Sequence, residues 1–416
     1  GVTAGGSPGG GMPKSNIEDK YTHSDARCRE YDYHSEEICD GNRDTFLNAI
    51  RTVHRATPQG FAAVKVTALG QPALLERASA ALVQVRELFS RFDRDGSGTV
   101  THEEFHRIYS EHFQDASEAR TDKLFQYLDS SHDGVIDYME WTNRVRLEDM
   151  KDIAARCREK GPFSLAALSA EELMLWQAMV GRVEALANEA AELQVRLMVD
   201  AEHSYFQPAI DHLVLGLQRQ HNRAAPTIYN TYQCYLRDSR HRLLTDILRS
   251  EREGFFWGAK LVRGAYLVLE TERAQRLGLE NPIQPSYQAT SANFHACVDD
   301  ALRAVKESGA AVMVASHNQA SVEYTLKGME RTGIPTGSGV SFGQLLGMSD
   351  HLTFTLGNHG LRAYKYVPYG RVGQVVPFLL RRAQENCDVV SNAGREMQLI
   401  AAELWRRLWP WSSSQP

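Results

Sequence analysis

Apolar positions along the chain follow two rhythms. Short, nearly continuous runs recur as FAAVKVTAL (61–69), RLMVDAE (196–202), TIYNTYQC (227–234), GAKLVRGAY (258–266), AVMVASH (311–317), VSFGQLLG (340–347) and RAYKYVPYG (362–370). They have the length and the β-rich character of buried strands. Between them, Ala/Leu-rich stretches such as 292–307 and 319–331 predict helices. Strand and helix alternate, as a parallel sheet requires. Polar residues collect at the C-terminal ends of the runs: Asp200 and Glu202, Gln233, Arg263 and Tyr266, Ser316 and His317, Gln344, Tyr366. Polar ends on strand after strand favour an α/β (β/α)8 TIM-type barrel, because a doubly wound sheet would concentrate its site at one switch point. Seven runs do not close eight strands, so the first strand is expected upstream of residue 1.

The interval between the first two runs is about four times a usual βα unit, so something is inserted. A capping box from Ser169 to Glu172, with apolar positions Leu173, Trp176, Val180, Val183 and Ala187, predicts the crossover helix that enters run 196–202. The insertion is therefore 70–168, in the loop after the first strand, and is expected on the catalytic face. The barrel takes 28–69 and 169–416. Residues 1–27 form an N-terminal segment that opens with the flexible linker GVTAGGSPGGG.

Inside the insertion lie two patterns of oxygen ligands at positions 1, 3, 5, 7, 9 and 12, with Gly at 6, the signature of EF-hand calcium loops. The first offers Asp93, Asp95, Ser97, the Thr99 carbonyl, Thr101 and Glu104, turning at Gly98. The second offers Asp129, Ser131, Asp133, the Val135 carbonyl, Asp137 and Glu140, turning at Gly134. They start 36 residues apart, the spacing of a pair. Val100 and Ile136, at position 8, are expected to form an antiparallel bridge. Acidic surface loops that bind nothing are the bland alternative, but two complete patterns at pair spacing rarely coincide.

Composition narrows the partners. With 24% charged residues and a net charge of −6 in 416 residues, nothing marks a nucleic-acid or anionic-membrane binder. The six cysteines are scattered without a C-x-x-C pair, which argues against a zinc knuckle or a disulfide framework. No run of 18 apolar residues and no leader signature occur, so any targeting peptide is expected outside this chain.

Arg381 and Arg382 in FLLRRAQEN sit on a helix predicted to begin at Pro377. An arginine pair is the strongest clamp for a substrate carboxylate, although an isolated Arg-Arg is more often a solvated face. With Lys65, Asp200, Tyr266 and Tyr366 at strand ends, the set suits a small cationic or zwitterionic substrate. His317 is a candidate base or cofactor contact. No G-x-G-x-x-G follows a strand, which disfavours a Rossmann cofactor site. From the residues alone the reading ends at a barrel enzyme acting on a small carboxylic acid.

The ordered series NTYQCYLRD, KLVRGAYL, MVASHN, FGQLLGM, KYVPYG and RRAQEN resembles the eukaryotic mitochondrial proline dehydrogenases from about Cys28 onward. The resemblance implies FAD in the barrel, oxidation of L-proline to Δ1-pyrroline-5-carboxylate by hydride transfer from C5 to flavin N5, and electrons passing to a membrane quinone. It also implies a matrix-side location at the inner membrane with peripheral membrane association. Arg381 and Arg382 would grip the proline carboxylate, and Lys65, Asp200, Tyr266, Leu345 and Tyr366 would line the pocket. FAD would contact Gln233, Lys260, Val262, Arg263, Gly264, Thr290, His317, Asn318, Gln344, Leu345 and Glu385. Lys260 stands where the bacterial pattern has Arg. Asp200 would organise a network around Lys65 and the flavin. The rival readings are hydroxyproline dehydrogenase, whose members carry a smaller residue at the Tyr366 position, and an inactive calcium-responsive scaffold.

Overall fold

The computed structural model describes residues 35–370 apart from Pro58, together with 372, 373, 375, 376, 379, 380, 401, 402, 404, 405, 407 and 408. The N-terminal segment 1–27 and the site candidates Arg381, Arg382 and Glu385 lie outside these residues. The strands are β1 (Phe61–Val64), β2 (Thr99–Thr101), β3 (Val135–Asp137), β4 (Arg196–Val199), β5 (Ile228–Gln233), β6 (Gly258–Val262), β7 (Ala311–Ala315), β8 (Val340–Leu345) and β9 (Ala363–Tyr366). Each of the seven apolar runs contains one strand of a single sheet, ordered β1-β4-β5-β6-β7-β8-β9, and every pairing in it is parallel. The runs outlast the strands because their polar last residues leave the ladder and turn to the sheet's C-terminal end.

The sheet curls. Ala259 and Leu261 of β6 and Val312 and Val314 of β7 pack outward in a cluster that includes Phe294, Val298 and Val322. The alternate residues Ala311 and Met313 face the lumen with Met198, Tyr229, Phe61 and Tyr364. Phe61 meets Tyr229 at 5.2 Å and Tyr364 at 5.0 Å between ring centroids, both edge-to-face. Since Phe61 is on β1 and Tyr364 on β9, the two edge strands touch through side chains without a shared ladder. The curled parallel sheet is that of a TIM-like barrel.

Helix α1 (Glu36–Ala56) lies outside β1, and α2 (Pro72–Phe92) leaves its C-terminal end. The insertion continues through α3 (His102–His112), α4 (Glu118–Leu128), α5 (Tyr138–Arg144), α6 (Met150–Arg156) and α7 (Pro162–Ala166). The barrel then resumes with α8 (Ala170–Glu192), α9 (Gln207–His221), α10 (Ser239–Glu253), α11 (Leu267–Leu277), α12 (Tyr287–Ser308), α13 (Gln319–Thr332) and α14 (Asp350–Asn358). The crossover helix α8 starts with the expected capping box of Ser169 and Glu172. Among the described residues no helix is long and apolar enough to cross a membrane.

The insertion shares its core with the barrel. The buried side of α2, including Leu75, Ala78 and Val85, belongs to the same apolar cluster as Ile210 and Val214 of α9. Ser79 Oγ of α2 accepts the Ala209 N–H at 3.1 Å, supplying a partner for the first turn of α9. The chain leaves the sheet at its catalytic end, but α2 runs alongside α9 to the opposite end. There Asn143 of α5 meets Arg219, Arg249 and Glu253, at the C-terminal ends of α9 and α10. The expected placement of the two loops on the catalytic face is thus corrected. The second loop sits by the N-terminal ends of β5 and β6.

Arg182 fastens α1 and the turn that follows β1 to α8. Its side chain is 7% exposed and pairs with Glu36 at 2.6 Å and Asp40 at 2.8 Å. Its Nη1 donates to the Leu69 carbonyl at 3.0 Å. Arg182→Ala leaves that carbonyl and a buried void without replacement, and should lower unfolding free energy by about 2–3 kcal/mol. Urea unfolding of the two proteins measures it, and a difference below about 0.5 kcal/mol, the range of unremarkable surface changes, would remove Arg182 from this role.

Candidate active site

Strand alternation turns Lys260 of β6 inward, because its neighbours Ala259 and Leu261 face the outer helices. A lone ammonium in the lumen would cost several kcal/mol, so it requires a partner. Asp200, just past β4, supplies it, and neither side chain is more than 12% exposed. The Asp200 N–H donates to Val64 O of β1 at 2.9 Å, and Tyr366 OH at the end of β9 lies 3.4 Å from Asp200 Oδ2. Asp200, at the end of β4, therefore meets β1 through its backbone N–H and β6 and β9 through its carboxylate. Beside it, Lys65 Nζ donates to Tyr266 OH at 3.4 Å, and the His203 ring packs 4.3 Å from that of Tyr266.

A second network fixes the neighbouring strand ends. Glu202 accepts from Thr67 N at 3.0 Å and Thr67 Oγ1 at 2.6 Å. Gln233 donates to Glu202 O at 2.7 Å and accepts from Ala265 N at 3.3 Å. Arg263, following Val262, stacks its guanidinium 4.3 Å over Tyr287 and donates from Nη2 to Ser291 at 2.9 Å. Its Nη1 is buried with no hydrogen-bond partner among the described residues. Gly264 has φ +139°, and a Cβ there would fall 2.3 Å from the Tyr235 ring, so only glycine fits. Thr290 is buried in the first turn of α12.

The last strands contribute His317, Asn318, Gln344 and Leu345. Asn318 caps α13 by accepting from Ser321 N at 3.0 Å, and its Nδ2 donates to Tyr287 OH at 2.9 Å. Gln344 Nε2 donates to Ser316 O at 3.3 Å, while Thr353 Oγ1 donates to its Oε1 at 2.8 Å. His317 Nε2 accepts from Leu345 N at 3.4 Å, which leaves the proton on Nδ1, 3.3 Å from Ser349 Oγ. Every described site candidate of the barrel therefore lies at one end of the sheet, apart from Lys260, which sits just below it. The buried nitrogen of Arg263, unpartnered among the described residues, the close approach allowed by Gly264 and the cationic Lys260 fit an anionic, planar cofactor such as FAD.

Two loops hold the other candidates. Gly98 (φ +85°) and Gly134 (φ +89°) take the left-handed conformation the sixth position needs. Their N–H groups donate to Asp93 Oδ2 and Asp129 Oδ2, each at 3.1 Å. Thr101 and Asp137 cap α3 and α5 in capping boxes with Glu104 and Glu140. Asp95 and Ser97 bond at 3.0 Å, Ser97 Oγ donates to Thr99 O at 2.9 Å, and Asp133 Oδ1 accepts from Val135 N at 3.1 Å. Ser131 Oγ reaches Asp129 at 3.4 Å. β2 and β3 pair antiparallel with Val100 opposite Ile136, the bridge expected from the sequence. Asp129 and Glu140 are buried at 6% and 3% exposure.

Sequence reasoning missed three groups. Arg252 of α10 pairs with Asp137 and lies 3.5 Å from Glu140. Lys365 reaches Asp350 at 2.6 Å and the Met348 carbonyl at 2.7 Å beside the site. Thr353 orients Gln344. All three sit on regular elements; Lys365 opens the KYVPYG motif, but its contacts, like those of Arg252 and Thr353, depend on neighbours distant in sequence that no local pattern reveals.

Burial, reinforced by Lys365, lowers the His317 pKa from 6.5 to about 4. The unfolded chain then binds the proton first, so this histidine contributes stability near pH 7 that declines as pH falls from about 6.5 toward 4. His317→Asn should flatten that acid-side decline by up to about 1.4 kcal/mol per pH unit in cofactor-free protein. Urea titrations at pH 7.0 and 5.0 test it, and parallel slopes for the two proteins would refute it.

The proline dehydrogenase family model matches residues 50–395. Human "Proline dehydrogenase 1, mitochondrial" is 40% identical over 91% of this chain and 66% of its own length. Mouse "Hydroxyproline dehydrogenase" is 44% identical over 59% of this chain and 55% of its own length. The chain thus spans less than two thirds of the curated relatives it matches. Among solved structures, proline utilization A from Bdellovibrio bacteriovorus aligns with a TM-score of 0.55 and 16% identity, covering 85% of this chain and 28% of that one, which supports the barrel fold. With seven parallel strands in that fold and a family match across most of its length, the chain belongs to the proline dehydrogenase family.

Proposed function

We propose that this protein oxidises L-proline to Δ1-pyrroline-5-carboxylate with FAD bound in the barrel, passing electrons to a membrane quinone. The observation that carries the reading is the convergence of Lys65, Asp200, Lys260, Tyr266 and Tyr366 at one end of the lumen, beside the unpartnered Arg263 nitrogen. When bound, FAD supplies the acceptor for the hydride leaving proline C5. Lys260 holds positive charge where the cofactor gains electrons, and Asp200 fixes that charge in place. Gln233, Val262, Gly264, Thr290, His317, Asn318, Gln344 and Leu345 complete the cradle, with Glu385 as a further contact. Arg381 and Arg382 hold the substrate carboxylate, so its amine enters the half-buried aromatic region of Tyr266 and Tyr366.

Purified protein should show a flavin absorbance band that bleaches on adding proline, with dye-coupled turnover. Absence of both would sink the assignment. Tyr366 separates the rival substrate, since its ring fills space that a ring hydroxyl would need, and comparative turnover of proline and 4-hydroxyproline decides between them. The relatives named mitochondrial support a mitochondrial location, and the proposed transfer of electrons to a membrane quinone calls for peripheral association with the matrix face of the inner membrane.

The two loops are proposed to bind calcium through Asp93, Asp95, Ser97, Thr99, Thr101 and Glu104, and through Asp129, Ser131, Asp133, Val135, Asp137 and Glu140. A guanidinium, that of Arg252, stands beside Asp137 and Glu140, so the second loop already accommodates a cation. Because these loops lie away from the strand ends that carry the chemistry, calcium acts on activity through α10 and β6 rather than by gating the entrance.

Arg381→Met and Arg382→Met should each raise the proline KM by about 10- to 100-fold, each removing half of a charge-assisted clamp. Unchanged steady-state kinetics would remove the clamp. Arg252→Ala, which frees two ligand carboxylates from a competing cation, should tighten calcium binding at the second loop by about tenfold. Chelator-competition titration reads the change, and equal affinities in both proteins would exclude competition.

A further inference from the structure

One side-chain cluster of the insertion has no part in the barrel chemistry and supplies none of the proposed calcium ligands, although His102 is the tenth residue of the first loop. His102 opens α3, and His106 follows one helical turn later on the same face. Across from them stands Asp122 of α4. His102 Nε2 lies 2.9 Å and His106 Nε2 2.7 Å from the same oxygen, Asp122 Oδ1. The three ligand atoms lie within 4.8 Å of one another.

We propose that His102, His106 and Asp122 form a binding site for a borderline first-row divalent cation, with zinc the best match. Zinc bonds of about 2.0–2.2 Å to imidazole nitrogen and carboxylate oxygen put tetrahedral ligand atoms roughly 3.3–3.5 Å apart, a separation these three groups reach by small side-chain rotations. Each Nε2 donates its N–H to the same carboxylate oxygen, so in the tautomer with the proton on Nδ1 both Nε2 lone pairs face the one point where a cation can sit. Imidazole nitrogen selects zinc, copper or nickel over calcium and magnesium, which require oxygen. The chemistry is therefore distinct from that of the neighbouring loops.

The supporting frame is present. The Phe125 ring meets His102 edge-on at 4.8 Å, and the two imidazoles lie 4.4 Å apart, so both rings are packed on one side. Side-chain exposures of 55%, 25% and 39% leave the outer side open to water, which supplies the fourth ligand. This open form is that of a micromolar, exchangeable site rather than a closed structural one. A bound ion would tie α3, which leaves the first loop, to α4, which enters the second, and would fix the angle between them.

The test uses the whole 416-residue chain as purified, in excess calcium, which keeps the oxygen-rich loops occupied, titrated with zinc against a colorimetric chelator. One zinc per chain should bind with a Kd of about 1–50 µM. That affinity should fall at least about tenfold in His106→Gln and Asp122→Asn. Zinc should raise the Tm of the natural chain and leave the variants unmoved. Cobalt(II) gives a second readout: the natural chain should show a visible d–d band of a low-coordinate site, absent from His102→Gln. Identical zinc affinity in natural and variant proteins, or no site tighter than about 100 µM, would overturn the assignment. Proline turnover is not the readout, so failure here is separable from failure of the enzymatic reading.

Discussion

The ion pair between Lys260 and Asp200 is the constraint around which the barrel's working end is arranged. An ammonium inside a curled sheet is tolerated only with a counter-charge held at hydrogen-bonding distance, and an apolar pair of similar volume would often be as stable or more so. Its presence therefore argues for electrostatic use. The carboxylate that neutralises Lys260 is anchored by its own backbone to β1 and approached by Tyr366 from β9. The same residue, through backbone and side chain, thus ties the two edges of the sheet to β4 and β6. Removing either charge would strand the other in the lumen and loosen the curl, not merely alter a contact.

Around that pair, the strand ends are fixed before any ligand arrives. Gln233 spends both ends of its amide on Glu202 and Ala265, Gln344 is held by Thr353 and Ser316, and Asn318 is committed to capping α13. Such internal satisfaction limits rotamer freedom and keeps the cradle in one geometry, so little ordering remains when a cofactor binds. Arg263 is the exception. With one buried nitrogen lacking a partner among the described residues, it carries a demand that a ligand acceptor would relieve.

Much of this was legible in the sequence. Strands covered on both faces read as continuous apolar runs, and all seven were found with polar residues where the chain leaves the ladder. The crossover helix announced itself through its capping box at Ser169. The partner of Lys260 was not legible, because Asp200 reaches it across the intervening β5, and that approach depends on the curvature of the sheet. The face on which the insertion's two loops lie was misread for an equally physical reason. Sequence tells where a chain departs from a strand, but the 21 residues of α2 extend about 30 Å, enough to carry the loops past the full height of the sheet. Only the long-range packing of Ser79 against Ala209, and of Asn143 against Arg219, reveals the direction.

That direction decides how the insertion can influence the chemistry. Arg249 and Arg252 project from the last turns of α10 into α5 and the second loop, while Arg219 joins the same cluster from α9. Helix α10 ends at Gly254, and the chain passes straight into β6, which carries Lys260 and Val262. A cation that displaced Arg252 from Asp137 and Glu140 would release a charged side chain at the end of the helix preceding the strand that holds the lumen ammonium. Any coupling must therefore travel along covalent chain and packed helix, through an element whose other end is clamped by Asp200. A rigid connection of that kind transmits small shifts in the position of Lys260 more readily than it could open or close a distant entrance.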